Sequence, residues 1–521
     1  MITRTFFRHA WLAALALAPS IGQAQEDSSR TTTVGPPIQR ISTASALSTD
    51  QLGVITSIRE LPNGNVLVND GTRRRLLLMD TTLKLLNVVL DSLSEISNTY
   101  GTRPGALIPF SGDSTLFVDP ASYAMVVLDP EGKMVRVRSV WRVQDVSWLT
   151  SPSGFYGFPG VDAKGRIVYR IPAQPGPPLR PPPSGVPYFP PQPDSAFIVA
   201  VDLETRRLDT LGVIRTPKQE MEVRQSPTGG WSISSVFNPL PTTDDWALLP
   251  DSRIAFVRWR DYSIDYLHPD GTKTNSGKLP YDWQRMEDED KERLVDSVKT
   301  MQTRGALNSY VSNMIRWVNM YGKDYPANFK VHEGYVPNPG MPKDWIMPPG
   351  VTFPPNYMYA CAPGQEPPTG AAMEAAMRTA MAAAGVTPPP GAVPAGGPPA
   401  GANARPTCFP APVMMTGGVV PQPPTLRLPS IMSWLDLPDY KPPITSGAVR
   451  ADLDGNLWIR TVPSKPTPGG PVYDIIDPNG KLVNRLQTPP GYTLVGFGKG
   501  KVVYLSMRDA AGIHLARVRL R

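Results

Sequence analysis

The stretch GNVLVNDGTRRRLLLMD, residues 64–80, decides the fold of this chain. A turn rich in Gly, Asp and Asn leads into a short hydrophobic run, and a second run follows that ends in Asp and another turn. Related first halves occupy 61–70, 110–119, 161–170, 249–258, 452–461 and 496–505, and related second halves occupy 75–86, 124–135, 197–208, 263–274 and 472–483. A phrase repeated in this way, with a hydrophobic period of two, is typical of a propeller or a solenoid of β-strands.

The first unit shows how many strands each repeat contains. Four runs of β type occur in it, at 55–61, 65–70, 75–80 and 83–89. The turns between them include Asn63-Gly64 and Asp70-Gly71, which favour tight hairpins because Gly and Asn adopt positive φ at little cost. A four-stranded sheet cannot bury both of its faces alone, and a closed ring removes exposed edges. We therefore predict six stacked units in a ring, the last one completed by a strand from 38–47.

One long segment interrupts the repeat between its fourth and fifth copies. It begins with two predicted helices, 281–302 and 307–321, and continues as a Pro-, Gly- and Ala-rich low-complexity stretch. The predicted fold class is therefore all-β: a six-bladed β-propeller with a mostly irregular, partly helical insertion between blades four and five. The predicted parts are a signal peptide (1–24), an N-terminal segment with a ring-closing strand (25–50), blades one to four (51–280), the insertion (281–445) and blades five and six (446–521).

The N-terminus has the pattern of a secretory signal. Arg4 and Arg8 precede the short apolar run AWLAALALA (10–18), and small residues follow at 22–24, where a signal peptidase would cut. The apolar run is too short to span a bilayer, and the later sequence contains no long apolar run. We expect a monomer that is periplasmic or extracellular after signal-peptide cleavage and has no transmembrane anchor.

Charge and motifs exclude several classes of function. The net charge is +7, but the basic residues are dispersed, and Arg73 to Arg75 form the longest basic run. Such a distribution does not predict a nucleic-acid partner. The chain has four histidines and no G-x-S-x-G, Walker or H-E-x-x-H motif. A catalytic triad, a P-loop and a His-based zinc site are therefore not predicted.

The two cysteines, Cys361 and Cys408, both lie in the insertion. In an oxidising compartment a lone pair of cysteines predicts a disulfide. Closing a loop of about 47 residues would stabilise the fold by roughly 4 kcal/mol through chain entropy, less any strain. Two thiolates that bind a metal are the alternative. The clustered prolines, among 62 in the chain, also predict extended segments on which a partner could dock.

The repeated phrase resembles that of NHL-repeat and related six-bladed β-propellers, and residues 64–80 are the best match. PPITSGAVRADLDGNLWIRT (442–461) looks like the penultimate blade of exported bacterial six-bladed propellers of unknown function. The resemblance leaves out the insertion. The resemblance implies a fold but says little about an activity, because one propeller scaffold hosts binding modules, lactonases, lyases and receptors.

Lactonase-like propellers, including the gluconolactonase and regucalcin group, are the enzyme class that this resemblance brings forward. Such enzymes hold a hard divalent cation by carboxylate and amide oxygens in the channel. The residues that follow the hydrophobic trio of the second strand in the six units are Asn69, Asp119, Arg170, Val257, Arg460 and Leu505. Asn69 and Asp119 are thus candidate metal ligands, and their alternative role is to cap strand ends and turns. Because arginines at equivalent positions would repel a cation, we expect no cofactor, with Ca²⁺ as the alternative.

The arginines indicate a different ligand. The candidate binding residues are Arg170, Arg258, Trp259, Arg260 and Arg460. If these side chains meet at one mouth of the ring, the guanidinium groups would bind a carboxylate or a sugar acid, and an indole would offer a stacking face. The alternative is that they are solvated loop residues.

The sequence therefore predicts an exported, non-catalytic β-propeller that serves as a ligand- or protein-binding scaffold. Its partner would be an unknown protein, an anionic small molecule or a carbohydrate. The alternative function is a Ca-dependent lactonase- or esterase-like hydrolase, or a lyase, that uses the propeller channel. A structural subunit of an envelope complex is a third possibility.

Overall fold

The computed structural model shows a chain that is mainly β, as the sequence predicts. It describes residues 35–41, 44–92, 99–151, 154–173, 192–225, 231–321, 428–464, 467–510 and 512–520, with short backbone strands at 330–331, 359–361, 408–410, 414–415 and 418–419. In this part of the chain strands dominate and helices are few. The predicted signal peptide (1–24) and most of the Pro-rich stretch lie outside the described residues.

Six sheets, numbered 1 to 6 along the described chain, account for most of the strands. Sheet 1 comprises Ile55–Glu60, Val66–Asp70, Arg75–Met79 and Leu85–Asp91; sheet 2 comprises Ala106–Pro109, Thr115–Asp119, Ala124–Leu128 and Met134–Ser139; sheet 3 comprises Gly160–Val161, Ile167–Pro172, Ser195–Val201 and Leu208–Arg215. Sheet 4 comprises Asp245–Leu248, Ile254–Arg258, Ser263–Leu267 and Lys273–Lys278; sheet 5 comprises Ile444–Ala451, Leu457–Thr461, Val472–Ile476 and Leu482–Gln487; sheet 6 comprises Tyr492–Gly498, Val502–Arg508 and Ile513–Arg519. Successive strands within each sheet pair antiparallel, as hairpin connections require.

The N-terminal segment adds a strand to each of the last two sheets. Ala46–Leu47 pairs antiparallel with Ile513–Arg519 and becomes the outer strand of sheet 6. Ile38–Arg40 pairs parallel with Leu482–Gln487 at the outer edge of sheet 5. The start of the described chain is therefore hydrogen-bonded to its end.

Hydrophobic clusters join each sheet to the next in a closed cycle. Sheets 1 and 2 share a cluster that includes Leu67 and Phe117. Further clusters join sheet 2 to 3, 3 to 4, 4 to 5 and 5 to 6. Sheet 6 returns to sheet 1 through a cluster that contains Tyr504 and Val68. Because every sheet is covered by a neighbour on each face, the core is divided among the interfaces, as it is in a β-propeller.

Carboxylates of the repeated phrase form its turns. In four copies, five Asp residues accept hydrogen bonds from the backbone N–H groups two and four residues later: Asp80, Asp129, Asp162, Asp452 and Asp477. In the second copy the distances from Asp129 are 3.1 Å to Glu131 N and 2.8 Å to Lys133 N. Gly132 follows at φ 83°, which a residue with a side chain rarely adopts.

Buried tyrosines form polar clamps near the sheet interfaces. Tyr504 of sheet 6 donates a 2.5 Å hydrogen bond to Glu60 of sheet 1. Tyr262, which precedes the third strand of sheet 4, donates a 2.8 Å bond to Asp474 of sheet 5, and Arg485 also binds that carboxylate. Each clamp fixes the relative position of two sheets, because a buried polar pair tolerates little displacement.

The helices differ from the sequence prediction. Residues 288–321 form one continuous helix, Asp288–Tyr321, so the predicted pair 281–302 and 307–321 is wrong. Gly305 lies inside this helix without interrupting it, because glycine keeps its N–H and costs a helix only about 1 kcal/mol. The part of the chain that the structure describes also contains the helix Val146–Leu149 and short 3₁₀ turns at Ser111–Asp113, Val143–Asp145 and Trp434–Asp436. Among the described residues, no helix is long and apolar enough to cross a membrane.

Small sheets occur outside the six-sheet body. Their strands are Met221–Gln225, Trp231–Phe237 and Ser430–Ile431; Lys330–Val331, Tyr359–Cys361 and Cys408–Pro410; and Met414–Met415 with Gly418–Val419. In the second of them, the backbone register places Cys361 opposite Cys408 in an antiparallel pair. The disulfide between them stays a prediction.

Candidate functional site

A central cavity of about 500 Å³ lies where the six sheets meet. Residues from the first strand of every sheet line it, so those strands are innermost. Its lining also includes Asp113, Pro250 and Leu453, which belong to turns between first and second strands. The cavity therefore lies toward the end of the ring that carries these turns, which we call the cavity end.

Two arginines line this cavity without a carboxylate partner. Arg59 is half-buried in sheet 1, and its Nε atom is buried with no hydrogen-bond partner. Arg450 is half-buried in sheet 5, and its Cζ atom lies 3.9 Å from the centre of the Phe158 ring. Within the described residues, neither guanidinium forms an ion pair. Both sites are therefore cationic.

Burial acts on both guanidinium groups. It lowers the pKa of Arg59, an effect that the charge of Asp113 opposes. It also lowers the pKa of Arg450 to about 10, with nearby Tyr473 acting in the opposite direction. At neutral pH both groups remain charged, so their positive charge is held in a partly desolvated place, where an anion is attracted strongly.

The carboxylates that line the cavity differ from the arginines because most are already bonded. Glu60 accepts a 2.8 Å bond from the backbone N–H of Lys499 and a 2.5 Å bond from Tyr504. Asp452 accepts bonds from backbone N–H groups of its turn and, at 3.0 Å, from the indole N–H of Trp458. Asp113 is exposed at the mouth. The available charge deep in the cavity is therefore positive.

A loop contacts the sheets toward the other end of the ring, which we call the plug end. Residues 154–158, GFYGF, form this plug, and Phe158 lines the cavity. The indole of Trp246 donates a 3.0 Å bond to the Tyr156 carbonyl. Gly447 is at φ 72°, and a Cβ atom there would lie 2.7 Å from the Gly154 carbonyl oxygen. The plug is thus held tightly against sheets 4 and 5.

Arg170, a predicted ligand-binding residue, supports the plug. It is 7% exposed, and its Nη1 atom donates a 3.3 Å bond to the Phe155 carbonyl. Its Cζ atom lies 5.2 Å from the centre of the Tyr156 ring. Burial lowers the pKa of Arg170, and the charge of Asp245 opposes the shift. These contacts use the guanidinium within the protein.

The other predicted ligand-binding residues are also occupied or displaced from the cavity. Arg258 forms 2.8 Å ion pairs with Asp244 and Asp265. Burial acts to lower the pKa of Arg258, but the hydrogen bonds to these two carboxylates outweigh burial and raise it. Trp259 packs against the cluster between sheets 4 and 5. Arg460 contacts Thr445 Oγ1 at 3.5 Å, and Arg260 is exposed. None of the five predicted residues lines the central cavity.

The two predicted metal ligands have structural contacts. Asn69 is fully buried, where it accepts a 2.8 Å bond from Tyr100 and donates a 2.7 Å bond to the Gly105 carbonyl. Asp119 accepts bonds of 2.9 Å from the backbone N–H of Ala121 and 2.5 Å from Ser122. Among the residues that the structure describes, no group of three or more His, Cys, Asp and Glu side chains could hold a metal ion.

Arg59 and Arg450 are not predicted from the repeated phrase, because that phrase covers the second and third strands of each sheet and both arginines lie in first strands. The pairing register of the first and second strands does identify them. A turn joins the first strand of each sheet to the second, and the third residue after that turn pairs with one residue of the first strand. In sheets 1 to 6 these first-strand residues are Arg59, Ile108, Gly160, Ala247, Arg450 and Phe497. Arginine occurs only in sheets 1 and 5 of this set, and all but Ile108 line the cavity.

Comparison with known proteins finds similarity to solved structures at low sequence identity. No protein-family model matches it, and no curated protein matches it. Among solved structures, regucalcin from Agrobacterium tumefaciens is 9% identical over 93% of this chain and 98% of that one, with a TM-score of 0.32. A gluconolactonase from Xanthomonas campestris is 10% identical over 94% and 99%, with a TM-score of 0.30. Virginiamycin B lyase from Staphylococcus aureus is 11% identical over 45% and 73%, with a TM-score of 0.24.

Proposed function

We propose that this protein is an exported, non-catalytic six-bladed β-propeller that binds a small carboxylate-bearing ligand in its central cavity. The observation that carries the proposal is the pair Arg59 and Arg450. Both line the cavity, and neither forms an ion pair within the described residues. An unpaired charge that is half-buried is partly desolvated at a cost, so a ligand that neutralises it would offset that cost.

The architecture in this proposal has six blades in a ring, with 281–445 inserted between blades four and five. The cycle of clusters from sheet 1 to sheet 6 and back supports the ring. Sheet 4 ends at Lys278 and sheet 5 begins at Ile444, which supports the place of the insertion. Export rests on the signal pattern at 1–24, and we expect a periplasmic or extracellular monomer.

The cavity suits a carboxylate better than a metal cation. A planar guanidinium offers two parallel N–H donors that match the two oxygens of a carboxylate. The volume of the central cavity, about 500 Å³, is in the range of small-molecule sites. Two guanidinium groups lining one cavity raise the electrostatic cost of placing a divalent cation there. The two arginines therefore favour a non-catalytic carboxylate-binding protein over a Ca-dependent hydrolase.

Calorimetric titration with small carboxylates and their amides tests the proposal. We expect carboxylates to bind and amides not to bind, and Arg59→Met and Arg450→Met each to weaken binding at least tenfold. Arg136→Met, an exposed arginine on sheet 2, is the matched control and should bind as the parent does. Arg450→Lys keeps the charge but removes the planar donor pair, so it should bind with intermediate affinity.

Two results would overturn the proposal. One is an equal affinity of the parent and both methionine variants for every carboxylate that binds, with circular dichroism showing that the variants are folded. The other is Ca²⁺ binding that depends on cavity carboxylates and accompanies hydrolysis of a lactone or ester, which would favour the enzymatic alternative.

We also propose a disulfide between Cys361 and Cys408. Residues directly opposite in an antiparallel pair have Cα atoms about 4.5–5.5 Å apart, which is within the range of disulfides. The backbone register supports the pairing. Alkylation of the unfolded, unreduced protein followed by mass spectrometry should find no free thiol, and two alkylated cysteines would contradict the proposal.

A further inference from the structure

A groove of about 510 Å³ lies beside the central cavity, between sheets 5 and 6. The N-terminal strand Ile38–Arg40 forms part of its wall through Gln39 and Arg40. Asp452 and Phe497 line both the groove and the central cavity. The two spaces therefore adjoin, and one ligand could occupy both of them.

The groove combines an aliphatic floor with a polar rim. Ile475, Leu486 and Val503 are nearly buried beneath it. At the rim Asn484 Nδ2 lies 3.4 Å from Gln39 Oε1, so two amide groups from different segments meet there. An occupant of this groove must offer apolar groups to the floor and hydrogen-bonding groups to the rim.

Unpaired charges add to the polar rim. Asp454 and Lys501 both line the groove, and within the described residues neither side chain forms an ion pair. With Arg40 and Asp452, the groove is lined by two cationic and two anionic side chains, so it does not select an occupant of one sign. It offers a carboxylate and an ammonium group for hydrogen bonds instead.

These features distinguish between classes of occupant. A sugar packs best on an exposed aromatic face, but Trp458 is only 2% exposed and its indole N–H is bonded to Asp452, while Phe497 is half-buried and packs against Trp458 with ring centroids 5.2 Å apart. An alkyl chain would offer no partner to the charged groups of the rim. An extended peptide meets both requirements, because its side chains alternate in direction and its backbone supplies N–H and C=O groups along both edges.

We propose that the groove binds an extended peptide whose C-terminal carboxylate lies against Arg59 and Arg450 in the central cavity. This inference rests on the proposed function, since it uses the same two arginines as the anchor for the carboxylate. It adds the class of the ligand and a second binding region. The carboxylate fixes the end of the peptide, and the groove reads the residues that precede it.

The experiment begins with an array of hexapeptides that present free C-terminal carboxylates, beside the same array with amidated C-termini. Peptides that the full protein binds are then measured by fluorescence polarisation, with N-acetyl-leucine as a competitor that reaches only the central cavity. We expect binding to the free-carboxylate array alone, and a hexapeptide affinity at least tenfold higher than that of N-acetyl-leucine.

Matched variants separate the groove from the cavity. Val483 lines the groove and is 51% exposed, whereas Val135 is 59% exposed on sheet 2 and distant from both spaces. Val483→Asp should weaken hexapeptide binding at least tenfold and leave N-acetyl-leucine binding within twofold of the parent. Val135→Asp should change neither. Arg450→Met should weaken both ligands.

The possible failures are distinguishable. If Val483→Asp binds the hexapeptide as the parent does, the groove is not the peptide site, while Arg450-dependent binding of N-acetyl-leucine leaves the proposed function standing. Equal binding to the amidated array also overturns the inference, as does Val483-sensitive binding of an acidic oligosaccharide or of palmitate in preference to peptides. If N-acetyl-leucine and the peptides all fail to bind, the inference and the proposed function fail together.

Discussion

The two ends of the ring use arginine in opposite ways. At the plug end Arg170 and Arg258 are bonded to the protein itself, to a loop carbonyl and to two carboxylates. At the cavity end Arg59 and Arg450 line an open space without an ion-pair partner among the described residues. The comparison teaches that residue type alone does not mark a binding site. What the guanidinium meets after folding decides whether it stabilises the fold or remains available for a ligand.

The largest expected effect concerns Asp245, which lies at the plug end. Its carboxyl is fully buried, accepts a 3.0 Å bond from the Val449 N–H, and has one oxygen without a partner. Burial raises its pKa from 3.8 to about 7. Between these values the folded state holds a proton that the unfolded state releases, so this contribution to stability is present below about pH 4 and is lost as the pH rises through about 7.

Asp245→Asn should remove this dependence. At about 1.4 kcal/mol per pKa unit, the free energy of unfolding of the parent should fall relative to the variant by up to about 4 kcal/mol between pH 4 and pH 8. Urea unfolding of both proteins across this range measures it. The difference between the two proteins is the relevant quantity, because burial also raises the pKa of Asp474. A pH-independent difference would show that Asp245 does not titrate in this range.

The second prediction tests whether the plug is part of the rigid fold. Gly447→Ala forces a side chain into the left-handed region and places its Cβ atom 2.7 Å from the Gly154 carbonyl oxygen. The two effects together should lower the free energy of unfolding by about 3 kcal/mol. Gly455→Ala is the control, since it has a similar φ but its nearest neighbour atom is 3.6 Å away. Equal losses in the two variants would mean that the plug moves aside freely.

Sequence reasoning was accurate where the contacts are local. The strand predicted at 55–61 is observed as Ile55–Glu60, because Asn63-Gly64 and its equivalents fix tight turns between alternating hydrophobic runs. It was less informative about Asn69, whose partners Tyr100 and Gly105 come from the connection to the next sheet. Such a partner becomes visible only when the sheets are stacked.

The functional arginines show the same limit. Arg59 and Arg450 are separated by most of the chain, and the ring brings both to one cavity. The repeat could have revealed them, because register equivalence picks out arginine in two of six first strands. Whether a carboxylate from another sheet neutralises an arginine, as Asp244 and Asp265 do for Arg258, depends on packing that one sequence does not specify.

The third prediction removes a paired arginine from the plug end. Arg258→Met leaves Asp244, which is nearly buried, without its cation, and Asp265 without its ion pair. Breaking a buried pair costs about 3–5 kcal/mol, and we expect about 2 kcal/mol because Arg258 is partly exposed. The double variant Arg258→Met with Asp244→Asn should recover part of the loss, since no unpaired buried carboxylate remains. Denaturant unfolding of the parent and the variants provides the measurement.

The smallest expected effect is the change in the free energy of unfolding when an arginine at the cavity end is replaced. Arg450→Met removes the contact with Phe158, which is worth about 0.5–1 kcal/mol, but it also removes the cost of desolvating a charge that has no ion-pair partner among the residues in the described ranges. We therefore expect the free energy of unfolding to change by less than about 1 kcal/mol, while binding of carboxylates falls at least tenfold. Arg170→Met at the plug end should do the reverse, because it releases the Phe155 carbonyl but leaves the cavity arginines in place. If Arg450→Met destabilises the protein as much as Arg258→Met does, Arg450 is a structural residue, and the distinction between the two ends fails.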